Sequence, residues 1–129
     1  TADPALMGQL QKAFLAHGAA HCGICTPGVL MASMELLQNN QNPDIAEIED
    51  TLAGVLCRCT GYRKIISAIM AVGSSIEETV APVAGKAVGH PVPRLDGVRK
   101  VDGTEIFGAD YAPEGSLAVR AVRSSHHHA

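Results

Sequence analysis

Between positions 6 and 17 the apolar residues Leu6, Met7, Leu10, Ala13 and Phe14 recur at intervals of three and four, with Gln9, Gln11 and Lys12 between them. That period predicts an amphipathic helix, closed by Gly18. Thr26-Pro27 reads as a cap followed by proline at the first helical position, where the missing N–H leaves no bond unmade, and the second helix runs on to Gln38. The run Asn39-Asn40-Gln41-Asn42-Pro43 is polar and turn-forming, and its end repeats the cap-plus-proline start. A third helix follows, with Asp44, Glu47, Glu49 and Asp50 near its positive end and Ile45, Ile48, Leu52 and Val55 as its buried stripe. Ile65, Ile66, Ile69 and Met70 mark a fourth, which fades at Gly73 or a few residues beyond.

The pattern then changes. Residues 81–93 are rich in Pro, Gly, Ala and Val and read as an extended linker. From position 94 the turn-like pairs Asp96-Gly97 and Asp102-Gly103 and the triplet Pro113-Glu114-Gly115 separate alternating segments at residues 105–107 and 117–122, which are expected to be strands. A few strands cannot make a stable sheet and core alone, so this segment is expected to belong to a larger α/β domain that the chain enters without completing. The expected organisation is a mainly α protein: a four-helix bundle at 1–80, a linker at 81–93, and an incomplete second domain at 94–129.

With 129 residues the chain has room for one compact core, and with aromatic content at 3% and no Trp, that core must come from Leu, Ile, Val, Met and Ala. Met7, Met31, Met34 and Met70 fall in or near the apolar stripes and are expected in the core. The net charge of −3, with basic residues scattered, gives no case for nucleic acid. No apolar run reaches the roughly 18 to 20 residues of a membrane span, and no basic-then-apolar leader is visible, so a cytoplasmic location is expected.

The chemistry lies in four cysteines: Cys22 and Cys25 as C-x2-C, and Cys57 and Cys59 as C-x-C, about thirty residues apart. Cys25-Thr26-Pro27-Gly28 and Cys59-Thr60-Gly61-Tyr62 form a short internal repeat, each placing a cysteine pair directly before a helix start. Two helical hairpins related by a pseudo-twofold axis would bring all four sulfurs together. Disulfides fit poorly, because such close spacings make strained rings. A tetrahedral zinc site and an iron–sulfur cluster both use four thiolates, and both gain from helix N-termini and from Arg58 between two ligands, so spacing and electrostatics leave the two open.

His21-Cys22-Gly23-Ile24-Cys25-Thr26-Pro27-Gly28 and Leu56-Cys57-Arg58-Cys59-Thr60-Gly61-Tyr62 resemble the paired signatures of the molybdenum hydroxylases, the family of xanthine dehydrogenases and aldehyde oxidoreductases. The resemblance extends through Gln11-Lys12-Ala13-Phe14 and positions 65–69, nearly all of the first eighty residues. It implies a helical domain whose [2Fe-2S] cluster, on Cys22, Cys25, Cys57 and Cys59, lies beside a molybdenum–pterin cofactor and takes electrons from it. Cys59 would be the ligand next to the pterin. His21 stands where the family usually carries a Gln that contacts that cofactor, and Val55 stands where it commonly has Asn. Pro93-Arg94-Leu95-Asp96, Lys100-Val101-Asp102-Gly103-Thr104 and Phe107-Gly108-Ala109-Asp110-Tyr111 resemble the opening of the molybdenum-binding domain, and the triplet His126, His127 and His128 matches the family's own run.

The partners so implied are the rest of the molybdenum-binding domain, a ferredoxin-like [2Fe-2S] domain expected to precede this segment, and an acceptor protein or flavin subunit. No flavin domain intervenes between helical and molybdenum-binding segments, as in bacterial fused aldehyde oxidoreductases. Arg58, Arg63 and Lys64 stand where they could hold an anionic group of the pterin cofactor or an acceptor protein, with Lys64 read as a solvated cation, and Tyr62 is read as packing on the second cysteine loop. No residue is assigned a catalytic role, since no nucleophile triad, phosphate loop or carboxylate pair is present.

Overall fold

The computed structural model describes residues 3–76, 80–90 and 92–128; Pro91 of the predicted linker and Ala129 of the tail lie outside them. Its helices are α1 (Pro4–Ala16), α2 (Thr26–Asn39), α3 (Ile45–Leu52), α4 (Tyr62–Met70) and α5 (Gly97–Asp102), with one 3₁₀ turn at Gly108–Asp110. The fold is helical, and no strand occurs among the described residues.

Each helix end has a local cause. Asp3 caps α1 by accepting from the Ala5 N–H at 2.9 Å. At its far end Gly18, at φ +59°, closes a Schellman motif: its N–H donates to Leu15 O at 3.2 Å and that of Ala19 to Phe14 O at 2.8 Å. The start of α3 corrects the sequence reading. Asp44, not Asn42, is the cap, and it forms a reciprocal box with Glu47, both bonds at 2.9 Å. Asn42-Pro43 stays in the turn because a better cap with a glutamate three residues on follows it. Likewise Cys25 holds the cap position of α2, making Thr26 the first helical residue and burying it.

Leu10, Phe14, Val29, Met34, Leu37, Ile48, Leu52, Ile65 and Ile69 form the core between the helices. α1 packs on α4 and on α2, while α3 packs on α2 and on α4, an arrangement unchanged when the hairpins α1/α2 and α3/α4 are exchanged. Of the predicted α3 stripe, Ile48 and Leu52 are buried and Val55 is half-buried, but Ile45 is exposed. Met34 is buried and Met7 packs on the core, whereas Met31 and Met70 face outward, since four short helices leave no second layer to cover them.

The tail departs most from expectation. Residues 105–107 and 117–122 are not strands: a strand is stabilised by pairing, and no partner for either exists among the described residues. Instead α5 docks on α1 and α2, with Val101 buried in the core and its carbonyl accepting from Gln11 Nε2 at 2.9 Å. Gly97 permits this approach, because a Cβ there would lie 3.0 Å from Leu15 Cδ2.

Candidate metal centre

The two cysteine pairs occupy the loops joining α1 to α2 and α3 to α4, at one end of the bundle. The thiols meet across the hairpins: Cys22 lies within hydrogen-bonding reach of Cys59, and Cys25 of Cys57. Each pair thus takes one sulfur from each loop. All four are free cysteines; Cys57 is buried, Cys25 half-buried, and Cys22 and Cys59 exposed.

Backbone amides surround the sulfurs. The Ile24 N–H, followed by the Cys59 thiol, draws the Cys22 thiol below its ordinary range, with Lys100 adding a smaller electrostatic pull. At Cys57 burial opposes ionisation, but the N–H of Gly61, the Cys25 thiol and the N–H groups of Cys59 and Thr60 outweigh it, and the net shift is downward. Cys25 goes the other way: burial, then its contact with Cys57, pushes its thiol up to about 11. Without a metal the site cannot hold four thiolates together; bound cations would supply the missing charge.

The inward-facing amides of the second loop depend on Thr60, at φ +53°. A β-branched residue in the left-handed region is strained, and here the strain turns consecutive N–H groups toward one sulfur as an anion-binding nest. Tyr62 fixes the same loop. Its hydroxyl accepts from the Cys57 N–H at 2.8 Å and donates to Val55 O at 2.9 Å. The sequence reading of Tyr62 as a packing residue therefore holds, with two hydrogen bonds added. His21 is half-buried, its ring over the start of α4: a Cβ on Gly61 would lie 3.0 Å from His21 Cε1. The imidazole so bridges the two cysteine loops. Arg58 is exposed, and so are Ile24 and Leu56 beside the cysteines.

Sequence reasoning missed Lys100. It lies seventy-seven residues beyond Gly23, and nothing in its local pattern marks it as part of this site. Its side chain nonetheless covers the first loop, and a Cβ on Gly23, at φ +94°, would lie 2.9 Å from Lys100 Cγ. Among the described residues no group of three His, Cys, Asp or Glu is gathered closely enough to hold a single metal ion. The donor set fits a binuclear cluster: two cross-loop sulfur pairs, each able to serve one iron, with N–H donors for anionic sulfur.

Fold and site together define a helical module with four thiols, built to hold a metal–sulfur centre. The profile of the [2Fe-2S] binding domain family matches residues 1–70, and the chain belongs to that family. It is 34% identical over 140 residues to the aldehyde oxidoreductase of Megalodesulfovibrio gigas, which covers 98% of this chain and 15% of that protein. It is 47% identical over 64 residues to the nicotine 6-hydroxylase small subunit of Paenarthrobacter nicotinovorans, covering 50% of this chain and 39% of the subunit. Among solved structures, the aldehyde oxidoreductase from Desulfovibrio desulfuricans superposes with a TM-score of 0.70 at 36% identity, covering 79% of this chain and 12% of that one. The matched region thus spans between 12% and 39% of the length of these relatives.

Proposed function

We propose that Cys22, Cys25, Cys57 and Cys59 hold a [2Fe-2S] cluster that carries electrons one at a time from a molybdenum–pterin centre toward a second iron–sulfur cluster and an external acceptor. The observation that carries this is the cross-hairpin pairing of Cys22 with Cys59 and Cys25 with Cys57, which would offer two thiolates to each of two irons. The bound cluster supplies one-electron chemistry; the chain supplies the thiolates, the amides of residues 59–61, and the fold that holds both loops.

In the whole enzyme the reaction is hydroxylation: a substrate C–H and a water molecule give C–OH, two protons and two electrons, and the electrons leave through this module. Aldehydes or aromatic N-heterocycles are the substrate class. Residues 1–80 form the cluster domain, 81–93 the linker, and 94–129 the opening of the molybdenum-binding domain. Exposure of Cys59 supports its place beside the pterin, and His21, next to Cys22 and over Gly61, is a cofactor contact in place of an amide. The flanking apolar side chains, Leu56 at 82% and Ile24 at 66% exposure, suit a face covered by partner domains. No helix is long and apolar enough to cross a membrane. A reducing cytoplasm keeps such thiols available for metal.

The test is anaerobic visible absorption with iron, zinc and acid-labile sulfide analysis, then electron paramagnetic resonance after dithionite reduction. Two irons and two sulfides per chain, with a signal on reduction only, are expected. One zinc without sulfide in freshly isolated protein would replace the electron carrier by a structural zinc module.

A further inference from the structure

The tail presents a buried cation that cluster binding alone does not require. The Lys100 side chain is only 8% exposed, although Arg99 beside it is largely in solvent. Its Nζ pairs with Asp96, one helical turn earlier, and donates to the His21 carbonyl at 3.4 Å. Its methylene stem runs against Gly23. The lysine therefore spans the residue before Cys22 and the residue after it. On the other flank Arg94 pairs with Asp96 and donates to Ala20 O at 3.3 Å. Arg94, Asp96 and Lys100 together form a clasp over positions 20–23, and the Gln11 bond to Val101 O anchors the helix that carries it.

An apolar side chain of the same length would fill this space, and an ion pair whose carboxylate is 36% exposed adds little net stability over such a replacement. What the charge supplies is a field at the first cysteine loop. We infer that Lys100 is a positioning residue that raises the reduction potential of the cluster proposed on Cys22, Cys25, Cys57 and Cys59, with Asp96 as the counter-charge that limits the effect. Reduction adds one electron to an already anionic centre, so a fixed cation beside a ligand loop favours the reduced form. The inference rests on the cluster assignment above.

The experiment is a dithionite titration of the intact holoprotein, followed by electron paramagnetic resonance, for the parent protein, Lys100→Met and Asp96→Asn, with iron and sulfide counted in each. Lys100→Met is expected to shift the equilibrium toward the oxidised form on the order of tenfold, a midpoint about 59 mV more negative for one electron. Asp96→Asn leaves the cations uncompensated and moves the midpoint upward. Opposite signs distinguish a field from loosened structure, which would displace both variants the same way. Unmoved potentials, or two shifts of one sign at full iron content, overturn the inference and leave the cluster assignment standing. A parent protein without iron and sulfide removes the assignment itself. Should Lys100→Met fail to retain iron, Asp96→Asn decides alone: a rise supports the role, and no rise refutes it.

Discussion

Replacing Tyr62 by Phe removes one oxygen and two hydrogen bonds from the second cysteine loop, at 2.8 Å from the Cys57 N–H and 2.9 Å to Val55 O. Both bonds are partly shielded from solvent, and the phenyl ring can keep the packing position of the phenol. The loss therefore concentrates on the two backbone groups left without a partner. A stranded donor or acceptor in such a place costs about 1–3 kcal/mol, and partial entry of water into the gap brings the expected total to about 2 kcal/mol. At about 1.4 kcal/mol per factor of ten, the loop should open some 10- to 30-fold more often. Two assays read this: the rate of iron loss to a strong chelator under native conditions, and deuterium uptake by a peptide spanning residues 55–59. Both should accelerate by that factor, while exchange in α1 and α2 changes far less. A variant that keeps its cluster and shows less than a twofold change in both would refute the role of the hydroxyl as the clamp of this loop.

Other outcomes follow from the same geometry. Cys57→Ser should lose most of its iron and lower the melting temperature, since the metal would tie together the loops of both hairpins at one end of their shared core; full iron content with native melting would contradict the coupling of metal to fold. Asp44→Ala removes one half of the α3 capping box and should lower stability by about 1 kcal/mol in denaturant titration, with cluster potential unchanged. Gly23→Ala places a methyl group 2.9 Å from Lys100 Cγ at a backbone φ of +94°, so α5 should lose its dock and show faster deuterium uptake while α3 does not. The Asp96 carboxyl is held far below its ordinary range, first by Arg94 and then by Lys100. Because its folded pKa is depressed, its contribution is fully present above the unfolded value and is lost only as pH falls through the folded one. Exchange protection in α5, corrected for intrinsic rates, should stay constant from pH 7 to pH 4; release of α5 within that window would show that the clasp does not hold the charge.

The four bundle helices and the placing of the four cysteines in the two loops before helix starts were legible in the sequence because both are local signals. A 3.6-residue period survives any tertiary context that offers an apolar neighbour, and C-x2-C and C-x-C need only a loop of fixed length. Helix starts were less legible, since competing caps such as Asn42 and Asp44 differ by about the energy of one hydrogen bond, and the glutamate at position 47 decides between them. The left-handed backbone of Thr60 was hidden because its side chain gives no hint of that conformation; the convergence of amides on Cys57 imposes it.

The tail marks the boundary of what a sequence alone determines. Alternation at residues 105–107 and 117–122 expresses a capacity to be a strand, which only a pairing partner realises, and none stands among the described residues. Burial of Lys100 depends on Asp96 one turn away and on Gly23 far along the chain, so no local pattern could announce it. The sequence by itself determined the helices and the loops that carry the cysteines; the tertiary structure decided how the sulfurs pair, which amides face them, and which distant cation covers their loop. The physical reason is range: hydrophobic periodicity and ligand spacing act within a few residues, whereas pairing, burial and electrostatic fields act between segments that only the folded chain brings together.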